Sequence, residues 1–362
     1  MYMDYLVIDG TQGEGGGSIL RLAAGFSVLF NTPIHLQNIR ANRDPPGLRL
    51  QHQLGLESLQ KLSNGKLSSI QVGTTDLTFI PGKKISTSLE IPIGTAGSIA
   101  LLSQTLQTGF IHTPTGTPIK ITYSGGGTFG TGAPDPYYLN NVTYQLFLKM
   151  GFSCHIDVKR NGFYPKGGAS AVLDIYPKQE VSQLTSLNLE NKGELLMVGG
   201  IIVCSDDLRD SRVAERIQNS IVDNLRRNPH YSKLPYDAYR IGILYDQTRN
   251  PGVGLSIWAN YEHTVIGSGT VLGERGVPSE VVGKNTANFL IRETSTTATV
   301  DTFAADQIIP LLVLCPEQSQ ILVREVTSHL KTNIDLLQSF HPRNIILEKV
   351  GGIWKLVYKT MK

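Results

Sequence analysis

Short apolar segments and glycine-rich turns alternate along the first half of the chain. Tyr5–Ile8 has the apolar pattern of a short strand, and the turn Gly10–Gly17 separates it from the apolar, helix-like stretch Ile19–Leu29. Ser18 lies where a hydroxyl can cap the first free N–H groups of a helix. The pattern therefore predicts a strand, a tight turn and a capped helix, in that order.

The same order returns further along the chain. The tripeptide at Gly17–Ile19 is echoed at Gly97–Ile99, and this echo predicts a repeated α/β unit. The second copy has a strand at Leu89–Ile93, a turn at Gly94–Gly97 and a helix at Ile99–Leu106; a third passage runs from Ile121 through Gly125–Gly132 to a helix near Tyr138–Met150, followed by strands at Ser153–Val158 and Ala169–Ile175.

From about Val181 to about Glu274 the chain is less rich in glycine, and its pattern changes. The change predicts a small α/β domain, residues 183–275, inserted into a larger domain formed by residues 1–182 and 276–362. The inserted part has a predicted helix at Asp210–Arg227 and strands at Gly193–Val203, Ala238–Leu244 and Gly254–Tyr261. In the tail we predict helices at Val277–Thr294, Val300–Leu314 and Leu330–Phe340, and strands at Gln320–Val326, Ile345–Glu348 and Gly352–Tyr358.

The composition is that of a globular protein with no strong overall field. Hydrophobic residues make up 40% of the 362 residues, charged residues 17%, and the net charge is +3. An anion site would therefore need local clustering of charge. The start of the chain has no signal-peptide pattern, and the longest apolar run, Ile308–Cys315, is too short to cross a bilayer. With three isolated cysteines and no Cys-x-x-Cys pair, we expect a cytoplasmic protein without disulfides or a zinc site.

The first glycine turn is the strongest candidate for chemistry. It matches neither the Gly-x-x-x-x-Gly-Lys-Ser/Thr loop nor the dinucleotide fingerprint. Its five glycines leave backbone N–H groups free to face an anion at a helix N-terminus. Glu14 in this turn would need a divalent cation between itself and a phosphate, and Arg21 lies one turn into the helix. The alternative is a tight turn with a solvated glutamate and a surface arginine.

A second cluster surrounds a Pro-Pro-Gly turn that leads into a helix. Arg40, Arg43 and Arg49 lie in and beside this turn, and Gln51 follows them. A planar guanidinium binds phosphate oxygens in pairs, and a rigid turn limits the cost of ordering it. The alternative is a solvated basic loop, and His52 beside it is typical of a packed or capping histidine.

Three further segments carry polar or aromatic groups with two readings each. Phe303 and Gln307 share a helix face, so that an aromatic ring could stack on a base while the amide contacts it. Otherwise Phe303 belongs to the core and Asp306 and Gln307 are exposed. Gln104, on an otherwise apolar helix, could be a satisfied buried amide. The loop 125–136 could border a ligand or only turn.

His329 stands at the start of the last predicted helix, which Thr327 or Ser328 can cap. The helix dipole disfavours a positive imidazolium there and favours an anion opposite the ring. A neutral histidine that faces a phosphate is arranged for nucleophilic attack on phosphorus. The alternative is a histidine that only caps or packs.

Together these segments resemble the RNA 3′-terminal phosphate cyclase family, in order and over nearly the whole chain. The matching segments are Asp9–Gly17, Arg40–Gln51, Gly94–Ser98 with Gln104, Phe163–Gly168, Phe303–Gln307 and Ser328–Asn333. The resemblance implies an α/β (α+β) fold of repeated units, each with two helices on a four-stranded sheet, and a small inserted domain. Family members often carry tyrosine where this chain has Phe303, a change that keeps stacking but removes a hydroxyl.

The resemblance also implies an activity and the residues that carry it. His329 would attack the α-phosphate of ATP, and the AMP would pass to an RNA 3′-phosphate, whose neighbouring 2′-hydroxyl closes a 2′,3′-cyclic phosphate. Glu14 would hold a divalent cation, Mg²⁺ or Mn²⁺. Arg21, Arg40, Arg43 and Gln51 would line the phosphate region; Gln104, Asp306 and Gln307, with Ala304 and Ala305 beside them, would contact the nucleotide; Phe303 and Pro134 would sandwich adenine.

The implied partners are ATP and RNA with a 3′-phosphate end, without a membrane, and a homodimer is left open. A branch of the family serves ribosome assembly without catalysis and lacks the nucleophilic histidine, so that the presence of His329 favours the enzyme. An enolpyruvyl transferase shares the repeated architecture and the glycine turns, but leaves the segment Ser328–His329 unexplained.

Overall fold

The computed structural model describes residues 4–13, 15–342 and 344–359. Its first unit is a four-stranded sheet with two helices. The strands follow the order β1-β2-β4-β3, in which β1 and β2 are parallel and the other neighbours antiparallel. The elements are β1 (Leu6–Asp9), α1 (Gly17–Leu29), β2 (Ile34–Gln37), α2 (Leu50–Ser63), β3 (Lys66–Leu67) and β4 (Leu77–Ile80).

The second unit repeats this topology. Its strand order is β5-β6-β8-β7, again with the first pair parallel and the rest antiparallel. The repeat predicted from the two glycine turns is therefore confirmed. The elements are β5 (Ser88–Ser98), α3 (Ile99–Gly109), β6 (Ile119–Gly127), a helix made of α4 (Pro136–Tyr138), a π-helical turn (Leu139–Thr143) and α5 (Tyr144–Lys149), then β7 (Ser153–Arg160) and β8 (Ser170–Tyr176).

The next stretch folds on a hydrophobic cluster of its own. A sheet of order β10-β9-β11-β12, with β13 paired to β11, is covered by two helices that pack on each other. The elements are β9 (Leu195–Ser205), α6 (Val213–Arg226), β10 (Tyr239–Asp246), β11 (Val253–Tyr261), β12 (Val265–Gly267), β13 (Val271–Leu272) and α7 (Ser279–Thr294). We call Leu195–Thr294 the inserted unit. The C-terminal boundary of the inserted domain at residue 275 stays a prediction. Because α7 packs in this cluster, we place the end of the inserted unit after Thr294.

The remaining residues form a third, reduced copy of the repeat. Its sheet has the order β14-β16-β15, and Val300 stands in for the missing first strand through a parallel bridge to Val323. The elements are α8 (Thr302–Gln307), α9 (Ile309–Leu314), β14 (Ser319–Val323), α10 (Ser328–Phe340), β15 (Asn344–Val350) and β16 (Ile353–Lys359). The α+β class with repeated units and an insertion is thus the observed fold.

The single helix predicted at Val300–Leu314 is wrong, because two short helices occupy this stretch. Asp301 is extended and caps α8, while Pro310 has no N–H to donate to the carbonyl oxygen of Asp306 four residues earlier. The side-chain Nδ2 of Asn333 donates to that oxygen instead, at 3.1 Å. The break separates α8 from α9, and α10 packs against α8.

One hydrophobic core joins the three repeated units. Helix α1 packs between α3 and α10, where the ring of Phe26 contacts Phe30 and Phe340 with centroids 6.1 and 5.6 Å apart. Among the described residues, no helix is both long and apolar enough to cross a membrane. The packing brings the N-terminal ends of α1 and α10 together, and this end of the core carries the candidate site.

Candidate active site

A cavity of about 320 Å³ opens among α1, α3, α8 and α10. The residues around it come from the three repeated units and from the inserted unit. Seven of the residues singled out in the sequence meet here: Arg21, Gln104, Pro134, Phe303, Asp306, Gln307 and His329. The cavity is therefore assembled from sequence-distant segments, as a ligand site would be.

One wall of the cavity is apolar and flat. Phe303 is 41% exposed although it belongs to a helix in the core region, and Pro134 lies in the same lining. Gly269 of the inserted unit touches Phe303 so closely that a Cβ there would lie 2.7 Å from Cε2 of the ring. Ala304 and Ala305 are buried behind Phe303. We call the part of the cavity that Phe303 and Pro134 line the slot, and an exposed ring there suits a planar group.

Asp301 fixes the helix that carries Phe303. Its carboxylate accepts the N–H groups of Phe303 and Ala304, the hydroxyl of Tyr138 at 2.6 Å and the N–H of Gly267 at 2.9 Å. Burial raises the pKa of this carboxyl to about 6, against the effect of these hydrogen bonds. The cap ties α8 both to the second unit and to the inserted unit.

Asp135 plays a corresponding part beside Pro134. Its buried carboxylate caps the helix after it by accepting the N–H groups of Tyr137 and Tyr138, and it takes a 2.7 Å hydrogen bond from the hydroxyl of Thr270. Burial raises the pKa of Asp135 above its usual range. Both sides of the slot are thus held by capping aspartates that receive donors from the inserted unit.

The floor of the cavity carries a carboxyl and a guanidinium. Burial raises the pKa of Asp306 to about 7; the charge of Asp301 adds to the rise and that of Arg21 opposes it. Burial lowers the pKa of Arg21 to about 10, and Asp306 acts against this change. Arg21 therefore keeps its positive charge at neutral pH, whereas the carboxyl of Asp306 keeps its proton to a higher pH than an ordinary aspartate does.

Two amides next to the floor are oriented by hydrogen bonds. Gln307 donates Nε2 to the carbonyl oxygen of Phe303, and its Oε1 accepts from the hydroxyl of Thr143, both at 2.9 Å. Asn333 donates to the carbonyl of Asp306, while its Oδ1 is buried without a partner at the cavity wall. Asn333 was not predicted to have a role in the site, although it lies four residues after His329 and therefore on the same helix face.

His329 lies exposed in the first turn of α10, at the edge of the cavity. The hydroxyl of Thr327 caps this helix by accepting the N–H of Leu330 at 3.0 Å. The glycine turn runs directly against the same helix turn, because a Cβ on Gly13 would overlap the side chain of Thr332. The turn and the histidine are therefore neighbours in space.

The glycine turn ends at the uncapped N-terminus of α1. The cap predicted at Ser18 is wrong, because Ser18 lies inside α1 as its second residue. The N-cap is Gly16, which offers no side chain, so that the first backbone N–H groups of the helix are left to other partners. A Cβ on Gly17 would overlap the ring of His52, which is half-buried here. Burial and the charges of Arg21, Arg40 and Arg49 lower the pKa of His52 to about 3, so it is a neutral packing residue, as its position predicted.

Three predicted residues lie beside the turn and outside the cavity lining. The guanidinium of Arg40 donates to the carbonyl oxygens of Pro45 and Gly47, which stabilises the Pro-Pro-Gly turn. Arg43 lies next to Gly16, where a Cβ would be 3.3 Å from its Nη2. Gln51, in the first turn of α2, accepts the N–H of Ser98 at 2.9 Å and so joins the helix that follows the Pro-Pro-Gly turn to the end of the second glycine turn.

The proposed metal ligand cannot be placed, since Glu14 lies outside the described residues. Within the part of the chain that the structure describes, no three His, Cys, Asp or Glu side chains are grouped so as to hold a metal ion.

The fold and the cleft define a class: an α+β protein of repeated βαβαββ units whose helix ends surround a cavity with a histidine at its edge. A family model described as RNA 3′-terminal phosphate cyclase matches residues 12–347. The chain belongs to the RNA 3′-terminal phosphate cyclase family, and it is an enzyme of this kind.

Relatives that bear this name align over almost their full length. A protein from Thermococcus kodakarensis is 37% identical over 338 residues, 93% of this chain and 93% of its own. Another from Thermococcus gammatolerans is 36% identical over 361 residues, 99% of each chain. A third from Pyrococcus furiosus is 36% identical over 348 residues, 96% of each chain. Each is named RNA 3′-terminal phosphate cyclase.

Proposed function

We propose that this enzyme uses ATP to convert an RNA 3′-terminal phosphate into a 2′,3′-cyclic phosphate. The observation that carries the proposal is the position of His329. It stands at a helix N-terminus, between a slot lined by Phe303 and Pro134 and the glycine turn at the start of α1. A nucleoside in the slot would present its phosphates to both helix ends and to the histidine.

The slot suits adenine, and the polar groups around it suit the rest of a nucleoside. Phe303 and Pro134 would take the two faces of the base, since stacking on an aromatic ring needs only a planar ligand. Gln104, Asp306 and Gln307 would contact the base and sugar edges. Asn333 adds an unpaired acceptor, Oδ1, that a sugar hydroxyl or an amino group could satisfy.

The first chemical step is adenylyl transfer to His329. A lone pair of the imidazole attacks the α-phosphorus, a phosphorus–nitrogen bond forms, and the bond to pyrophosphate breaks. The N-terminal ends of α1 and α10, together with the cation Arg21, stabilise the negative charge that develops on the phosphoryl oxygens. Arg43, beside the turn, extends this positive region.

Two further steps transfer and release the AMP. An oxygen of the RNA 3′-phosphate attacks the adenylyl phosphorus, the imidazole leaves, and a 3′-to-5′ pyrophosphate link joins RNA and adenosine. The 2′-hydroxyl then loses its proton and attacks the adjacent 3′-phosphorus, and AMP leaves. Because the last attack is intramolecular, it has a large advantage over attack by water.

A divalent cation, Mg²⁺ or Mn²⁺, is part of the proposal, with Glu14 as its protein ligand. Such an ion neutralises charge on the phosphates and leaves the protein groups to position them. Arg40 contributes by holding the Pro-Pro-Gly turn in place, and Gln51 by tying the start of α2 to the second glycine turn.

Incubation with α-labelled ATP tests the proposal. The wild-type protein should take up covalent label that is lost in acid and kept in base, as expected for a phosphorus–nitrogen bond. His329→Ala should take up none, and the control His155→Ala, which alters another exposed histidine on β7, should label like the wild type. Labelling of the His329→Ala protein would overturn the assignment.

A further inference from the structure

The loop Phe163–Gly168 between β7 and β8 lines no part of the cavity, and the proposed function gives it no task. Its anchor is Phe163, which is buried and stacks on Phe129 with centroids 5.6 Å apart. The next residue, Tyr164, points the other way and is 80% exposed. A large aromatic ring in water next to a buried one calls for an explanation.

The loop around Tyr164 is firmly held. Asn250 of the inserted unit donates Nδ2 to the carbonyl of Tyr164 at 2.8 Å and accepts the N–H of Lys166 at 3.3 Å. Nε of Arg160 donates to the carbonyl of Gly168 at 2.8 Å. The backbone that carries the exposed ring is therefore held in place, and binding of a ligand to the ring costs little conformational entropy of the loop.

Cationic side chains lie on this loop and beside it. Lys166 is exposed two residues after Tyr164, and Arg160 flanks the loop. Arg249 lies across Gly168, where a Cβ would be 2.6 Å from its Nε. Aromatic rings among positive charges are the usual means by which proteins hold single-stranded nucleic acid, with bases stacked and phosphates neutralised.

The loop also contacts a segment that leads towards the proposed phosphate region. A Cβ on Gly167 would lie 2.9 Å from the carbonyl oxygen of Thr95, so that the loop touches the second glycine turn. Three residues further on, at most about 10 Å of chain, the N–H of Ser98 binds Gln51 beside the phosphate region. One or two nucleotides can span this interval.

We propose that Tyr164, with Lys166 and Arg249, is a platform on which a base upstream of the RNA 3′ end stacks. This proposal rests on the proposed function, because it takes single-stranded RNA as the ligand. It assigns a binding site to the loop and gives Asn250 and Arg249 of the inserted unit a part in substrate binding.

The test is direct binding of a fluorescent RNA of about ten nucleotides, within the usual range of single-strand sites, measured by anisotropy. Tyr164→Ala should weaken binding about tenfold, at the lower end of base–aromatic stacking, and Tyr164→Phe should restore it. The control Tyr236→Ala removes another exposed tyrosine and should bind like the wild type. Tyr236 lies before the first residue of β10, whereas Asn250 follows the last. Lys166→Ala should reduce the salt dependence of log Kd by about 0.7.

Cyclisation assays separate the platform from the reaction centre. Tyr164→Ala should raise KM for the oligonucleotide and leave kcat unchanged, and it should handle a nucleoside 3′-phosphate as the wild type does. Unchanged binding of the oligonucleotide by Tyr164→Ala, or an equal loss on the mononucleotide, would overturn the platform. Failure of the wild type to label with ATP would instead overturn the proposed function, and the anisotropy result would still decide the platform.

Discussion

Replacement of Asp301 by alanine should loosen the wall of the candidate site, and the hydrogen bonds give the magnitude. The change removes the cap of α8, worth about 1 kcal/mol. It also leaves the buried hydroxyl of Tyr138 and the N–H of Gly267 without acceptors, at about 1–3 kcal/mol each. Burial of the Asp301 carboxyl is itself unfavourable, as its raised pKa of about 6 indicates, so its removal offsets part of this loss in the free energy of unfolding. We expect a net loss of about 3 kcal/mol in unfolding free energy.

A double-mutant cycle with Tyr138→Phe isolates the shared hydrogen bond. In the wild type, Tyr138→Phe should cost about 1 kcal/mol. In the Asp301→Ala protein it should be neutral or stabilising, because it removes the orphaned hydroxyl. Urea unfolding followed by circular dichroism measures all four proteins. If Tyr138→Phe lowers the free energy of unfolding equally in the wild type and in the Asp301→Ala protein, the hydroxyl of Tyr138 and the carboxylate of Asp301 are not coupled. That result would refute the role given to their 2.6 Å hydrogen bond.

Two further predictions concern the floor and the wall of the cavity. The raised pKa of Asp306, about 7, means that the folded protein holds this proton more tightly than the unfolded chain does, so the free energy of unfolding should fall as pH rises from about 4 to about 7. Asp306→Asn should flatten the pH dependence of the urea midpoint in that window. An unchanged pH profile in this variant would contradict the raised pKa. Gly269→Ala should raise the KM for ATP in the labelling assay several-fold, because its Cβ meets Phe303. Gly276→Ala has a similar positive φ and open space around it, so it is the control for backbone strain, and equal effects of both changes would rule out the contact.

The repeat could be predicted because glycine turns are local signals, although Ser18 does not cap α1 as expected. Ser98 does cap α3, and both full units share one strand order. The break at Pro310 had a local signal too, but the apolar run from Ile308 outweighed it. The short strands β12 and β13 gave no signal, since two or three residues cannot show a period.

The candidate site was predictable as a set of residues and not as an arrangement. Seven predicted residues line one cavity, yet the capping aspartates Asp135 and Asp301 and the loop of Gly269 and Thr270 went unnoticed. Their roles depend on contacts between segments more than a hundred residues apart, and spacing along the chain does not report such contacts. The role of Arg40 in holding its own turn likewise needed the backbone geometry.

The hydrogen bonds from the inserted unit to Asp135 and Asp301 make that unit hard to discard. A lineage that shed Leu195–Thr294 would lose the N–H of Gly267 and the hydroxyl of Thr270, and two carboxyls would have to find new donors at once. A unit taken from a relative would have to supply the same hydrogen-bond donors to the two aspartates, from the β11–β12 edge and from the turn after it. We therefore expect successful chimaeras to exchange the unit together with both aspartates, as one heritable block.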